Sequence, residues 1–327
     1  MSHNLKKNLN GEIAMMYDQE AGIPWHELGT PMTGRFTPEE CQRVFPFTVE
    51  MESVFLADGT LVPNFKSVTK LEEGTRQSLA IMGENYSPLQ PFEALDIISE
   101  LNLECDTALA LGNGEIIIVN CIPPELAEFE VIKNDPIKPY IMFCTSYDGS
   151  HAREIRNTAI RTVCQNTFRM AIKEDKPFFS IKNTRNADVR TKVGVEMLKQ
   201  YLSQAKSFKE ILGELAKHPI NDELVNQFMD LMFGDPSLTP EGRASTILAN
   251  KKDKFQTLLV TGKGTEIPGV VGSAYGLLNA YVEWSDFYSA VRGCRDRTNS
   301  ILFGQGAELK DRAAEVIMDL VGVTVNR

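Results

Sequence analysis

The feature that most restricts the fold is a change in the period of the apolar residues part-way along the chain. Up to about residue 160 the apolar runs are short, rich in β-branched residues and separated by turn dipeptides; beyond Val193 they recur at helical spacing. The strongest local signal is Gly112-Asn113-Gly114 between the runs Thr107–Leu111 and Glu115–Ile122, because Asn-Gly tolerates the positive φ that a tight hairpin needs. Asp58-Gly59 marks a second hairpin within Ser53–Pro63. Gln77–Met82 reads as a strand, Tyr140–Ser146 as a buried strand, and Ala152–Ile160 as an extended piece after the turn Asp148-Gly149. Pro91 opens a helix through Leu101, with Pro in the tolerated first turn. Helical spacing then covers Val193–Glu214, Asp222–Met232, Thr239–Leu258, Ser273–Ala290 and about Ala307–Leu320. The expected fold class is α+β, with an antiparallel β-rich part and packed helices over 1–194 and a mostly helical part over 195–327.

Composition removes several function classes. With 43% hydrophobic and 24% charged residues in 327, the chain is neither disordered nor fibrous. No apolar run is long enough to span a bilayer, and the N-terminus lacks the apolar core of a secretory signal, so a cytoplasmic protein without a membrane partner is expected. Six cysteines with no C-x-x-C pair exclude a disulfide scaffold and a zinc finger; they read as buried thiols.

Charge is unevenly placed. Residues 1–150 hold 9 Lys/Arg against 23 Asp/Glu, residues 151–192 hold 10 against 4, and residues 193–327 hold 15 against 17. A stretch of net +6 inside a chain of net −10 is the footprint of a polyanion site, since phosphate contacts release condensed counterions. The competing reading is that these cations pair with the acidic first half across an internal interface. Arg153, Arg156 and Arg161 fall on the expected strand and its exit. If Thr162 starts a helix, Gln165, Arg169 and Lys173 form a polar stripe four residues apart. Lys182, Arg185, Arg190 and Lys192 continue the charge, and Phe178 and Phe179 have the chemistry to stack on bases or to fill a core. Arg292, Arg295 and Arg297 extend the same surface if they are exposed.

Catalytic constellations are sparse. His26 and His151 stand alone, and no His pair has metal-ligand spacing. Cys164 with His151 and Asp148 has the residue types of a thiol nucleophile and its base, though a buried helix cysteine is the simpler account. Asn279, Glu283 and Asp286 share a helix face suited to a divalent cation or, more simply, to water or a partner group. Gly262-Lys-Gly264 and Gly304-Gln-Gly306 have neither phosphate-loop spacing. No catalytic residue, metal or cofactor is assigned. Tyr275, Leu278, Tyr281 and Val282 form an aromatic-rich stripe, most simply core.

Five ordered blocks carry a family resemblance: Pro24-Trp-His-x-Leu-Gly29, Tyr86-Ser-Pro-Leu-Gln90, Thr145 to Phe168, Gly272 to Trp284, and Phe303-Gly-x-Gly-Ala-x-Leu-Lys-x-Arg312. Together they resemble the phage/plasmid-like protein family, a domain of unknown function on bacterial mobile elements. The resemblance implies a setting in the bacterial cytoplasm. Such elements often carry single-strand annealing proteins of the Red-beta/RecT type, which are ATP-independent oligomers. The strand–strand–helix order expected from Thr107 to Ile172 is similar to theirs in outline, a likeness at the level of fold alone. The expectation is a single-stranded-nucleic-acid-binding, annealing homo-oligomer, with a host or phage single-strand-binding protein as a further partner. The alternative is a mobile-element interaction protein that modulates a host factor through its acidic half.

Overall fold

Gly112-Asn113-Gly114 does turn the chain. Strand β6 (Glu104–Leu111) runs antiparallel to β7 (Ile116–Ile122), and Gly112 and Gly114 take φ of 66° and 103°, conformations that a Cβ would strain. The computed structural model describes residues 4–8, 10–22, 24, 27–122, 128–161, 166–169, 179–181, 205–291 and 296–323; for 161, 166–169 and 179–181 it describes the backbone only. From the central hairpin the main sheet grows both ways. On one side β9 (Asp135–Ser146) pairs with β7, and β10 (Arg153–Arg161) pairs with β9, all antiparallel. Two short strands share the outer edge of β10: β11 (Asn166–Arg169) along 158–161 and β12 (Phe179–Ile181) along 153–155. On the other side β1 (Met15–Asp18) pairs antiparallel with β6, and β2 (Thr30–Met32) lies parallel to β1. β8 (Phe129–Ile132) joins the start of β9, making nine strands among the described residues.

Strand parity sorts the core. Ile117, Val119, Ile141, Phe143 and Ile155 enter one buried cluster, while Ile116, Ile118, Met142 and Cys144 enter another on the opposite face. One extra residue, Asp106, is inserted between the pairs Cys105↔Cys121 and Thr107↔Asn120. Asp106 is 4% exposed, and burial pushes its carboxyl up to about 6 although Thr107 Oγ1 donates to it at 2.9 Å. A folded-state value above the unfolded one of 3.8 means that the stability it contributes is present in acid. That contribution fades as pH rises from about 4 to 6. One unit is about 1.4 kcal/mol, so Asp106→Asn should recover on the order of 2–3 kcal/mol at pH 8 and flatten this window in denaturant titrations.

A second sheet packs on the same buried cluster through Val49 and Val68: β3 (Thr48–Phe55), β4 (Leu61–Glu72) and β5 (Thr75–Gly83), an antiparallel meander. Helix α1 (Pro38–Cys41) carries a capping box from Thr37 and Glu40. Helix α2 (Pro91–Glu100) starts at Pro91 and buries Ala94, Leu95 and Ile98.

From residue 205 onward the described residues are mostly helical, as the period predicts: α3 (205–217), α4 (Asp222–Phe233), α5 (Arg243–Thr261), α6 (Ala274–Glu283), α7 (Arg297–Leu302) and α8 (Gln305–Val321). Every residue of α6 is buried, so it is the central helix. Gly276 permits this: a Cβ there would lie 2.1 Å from the carbonyl of Val270. Phe228, Phe233, Phe255, Tyr281 and Trp284 form an aromatic nest around it. The arrangement is α+β. The position of the expected boundary, 194/195, lies outside the described residues, and one buried cluster holds Phe143 and Ile155 together with Phe208 and Tyr281.

Three local expectations are corrected. Residues 166–169 are strand, not the middle of a helix starting at Thr162. Thr162, Val163, Thr167 and Phe168 favour extended backbone, and pairing along β10 supplies hydrogen bonds that a polar i,i+4 stripe cannot match. The strand–strand–helix outline from Thr107 to Ile172 therefore does not hold at 166–169. Helix α5 begins at Arg243 rather than Thr239, because Gly242 takes φ 104° and Thr239 is extended after a 3₁₀ turn at Pro236–Leu238. The helix expected to reach Ala290 keeps α geometry only to Glu283; Trp284–Tyr288 widen into a π turn.

Candidate nucleic-acid interface

Strand β10 carries the two predicted phosphate contacts whose side chains are described, and it places them on opposite faces. Residues three apart on a strand must diverge. Arg153 lies on the face of Ile155, beside Tyr147 and Glu93. It donates from Nη2 to the carbonyl of Ser87 at 2.6 Å, and burial lowers its pKa. Arg156 lies on the other face. Its guanidinium pairs with Glu154 at 2.8 Å, and it sits 5.2 Å from the centroid of Phe303. Both side chains are thus held against the chain's own groups.

His151 belongs to the same joint. Ser146 Oγ accepts from the His151 N–H at 2.9 Å and donates to the His151 carbonyl at 2.8 Å, clasping the turn at Asp148-Gly149. The imidazole packs at a tilt of 42° against Phe303, ring centroids 4.3 Å apart, and meets Asn299 Oδ1 at 3.3 Å; burial lowers its pKa. Arg156, His151, Asn299 and Phe303 therefore lock the end of the main sheet to α7. The sequence signal for His151, Arg156 and Phe303 is the pair of blocks Thr145 to Phe168 and Phe303 to Arg312, which meet in space, whereas Asn299 lies in neither block.

The remaining predicted contacts lie beyond this joint. Arg161 and Arg169 stand at opposite ends of the β10–β11 pairing, Arg161↔Asn166 and Thr158↔Arg169, in backbone only. Gln165, Lys173, Lys182, Arg185, Arg190 and Lys192 lie outside the described residues, as do Phe178, Arg292, Arg295, His26 and Cys164; Phe179 is described in backbone only, in β12. Arg297 does not extend a basic surface. It is 6% exposed and donates to the carbonyls of Asp286 and Ser289 at 2.9 and 2.6 Å, fastening the π turn.

The candidate cation face is likewise occupied by the fold. Asp286 accepts from Lys310 Nζ at 2.7 Å in a buried pair, Glu283 accepts from the Lys263 backbone N–H at 2.9 Å, and Asn279 donates to the Tyr275 carbonyl at 2.9 Å. Among the described residues no cluster of three His, Cys, Asp or Glu side chains is arranged to hold a metal ion. The four described cysteines are buried, and burial pushes the Cys144 thiol up. No helix among the described residues is long and apolar enough to cross a membrane.

One buried polar cluster had no signal in residue spacing. Lys6 and Lys70 flank Glu72 at 2.5 and 2.9 Å, both ammonium groups lie within 6 Å of the Phe47 ring centroid, and Lys70 also donates to the Asn113 carbonyl.

With this geometry in hand, comparison with protein families matches residues 78–302 to the family described as a domain of unknown function (DUF932). The chain belongs to the DUF932 family. The DUF932 match begins inside β5 and ends at the last residue of α7, so it takes in β10, His151 and Asn299, stops one residue short of Phe303, and leaves β1 to β4, α1 and α8 outside. No curated protein and no solved structure matches.

Proposed function

We propose that this DUF932 protein binds single-stranded nucleic acid through the basic stretch that follows β10, and acts as an ATP-independent annealing protein of a phage or plasmid in the bacterial cytoplasm. The observation that carries this reading is the charge left after Arg153, Arg156 and Glu154 are set aside as structural. Residues 157–192 still hold eight Lys/Arg against three Asp/Glu, in a chain of net −10. A polyanion is the partner such a stretch attracts, and contacts to phosphates leave bases free to pair. The contacts are assigned to Arg161, Gln165, Arg169, Lys173, Lys182, Arg185, Arg190 and Lys192. Arg153 and Arg156 instead anchor the stretch to the sheet.

The test is a fluorescence-anisotropy titration of a labelled single-stranded oligonucleotide at two salt concentrations. Binding that weakens steeply with salt is expected. No binding at low salt, or binding indifferent to salt, overturns the reading and favours an interaction protein directed at a host factor. The anchoring role has its own signature. Arg153→Ala orphans the Ser87 carbonyl and should cost about 1–3 kcal/mol in denaturant unfolding, with oligonucleotide affinity and salt slope unchanged in the folded variant.

A further inference from the structure

The three-stranded sheet exposes a group of large apolar side chains: Phe55, Leu56, Leu61, Phe65 and Ile81 are each half or more accessible. Among the described residues no strand pairs with the outer side of β3 or of β5. Open edges of this kind are templates for pairing with another chain. The side chain of Gln90 shows which backbone groups of β3 face outward. Its amide donates to the Val49 carbonyl at 2.7 Å and accepts from the Val49 N–H at 3.0 Å. Alternation then turns the N–H and C=O of Met51 and Ser53 outward too. Gln90 closes only the start of this edge.

We propose that the open edge of β3 pairs with β5 of a second copy of the chain, joining copies head to tail through a continuous sheet. Charge selects this occupant. β3 carries Glu50 and Glu52 and no basic residue; β5 carries Arg76 and no acidic one. Within one chain Arg76 reaches across β4 to Glu52 at 2.6 Å and Glu50 at 3.4 Å. A neighbour's β3, one strand spacing of ~4.8 Å from β5, sets its Glu50 and Glu52 beside a strand whose one charged residue is the cation Arg76. Pairing β3 with β3 would crowd like charges, and pairing β5 with β5 would leave Phe55 and the β3 edge uncovered. Nucleic acid does not suit this surface, since residues 48–83 hold five Asp/Glu against three Lys/Arg. Head-to-tail contacts use both edges at once and close into a ring when the rotation between copies allows.

Association by these edges does not depend on nucleic-acid binding and is tested without it. Light scattering coupled to size exclusion, on the full chain freed of nucleic acid, should give a mass several times the 36.5 kDa of one copy. Ser53→Pro removes an outward N–H and no bond between β3 and β4, and should bring the mass to that of one copy with the circular dichroism unchanged. Arg76→Glu alone and Glu50→Lys/Glu52→Lys alone should also be single copies, whereas mixing the two variants should restore the assembly. A wild-type chain that stays at one copy, a two-copy species indifferent to Glu50 and Glu52, or a mixture that fails to reassociate overturns the proposal.

Discussion

Replacing Lys173, Lys182, Arg185, Arg190 and Lys192 together by glutamine should weaken single-stranded DNA binding at low salt by about 100-fold or more while leaving the unfolding midpoint in place. The reasoning is electrostatic. Each phosphate contact to a single strand contributes about 0.7 to the slope of log affinity against log salt. Removing five contacts should therefore flatten the slope by about 3.5, and single substitutions by about 0.7 each. The change should be the same for oligonucleotides of different sequence, because phosphate contacts carry no base readout. Glutamine keeps these side chains polar and removes only their charge, so a drop in stability is not expected. An unchanged slope in a folded variant would show that the charge of 157–192 is spent inside the molecule.

How much of this was legible beforehand depends on whether the determinant is local. The hairpin at Asn113-Gly114 and the helix opened by Pro91 are set by turn and cap chemistry within a few residues, and both appear where the sequence puts them. The buried aromatic helix at Tyr275–Val282 follows from spacing alone. Residues 166–169 went the other way because the partner that makes them a strand, β10, is supplied by tertiary pairing. The divergence of Arg153 and Arg156 was in fact readable. A strand over 153–161 has period two, so positions three apart cannot share a face, and grouping them by charge overlooked it. The fate of Asp286 was not readable, because Lys310 is 24 residues away on another helix and nothing in their spacing pairs them. Buried ion pairs between distant elements are a property of the packed fold.

The same holds for Glu72, whose replacement by glutamine should be the most destabilising single change in the β-rich part. Lys6, Lys70 and Glu72 are all at most 6% exposed. Burial opposes the Glu72 charge, yet the two ammonium groups outweigh it and hold the carboxyl below its usual range. Burial also lowers the pKa of Lys6, despite its hydrogen bond to Glu72. Glu72→Gln would leave two buried cations facing each other, and breaking a buried pair in this way costs about 3–5 kcal/mol. Lys6→Met combined with Glu72→Gln should recover part of that loss, because one stranded charge goes with its partner. The sign of the pH dependence is fixed by the direction of the shift. A carboxyl lowered in the folded state lends stability above its unfolded value of 4.5 and loses it as pH falls through the folded value. Denaturant unfolding between pH 7 and pH 3 should therefore show wild type losing more stability than Glu72→Gln on the acid side. Parallel curves would mean that the carboxylate at 72 is not what holds the N-terminal segment and β4 together.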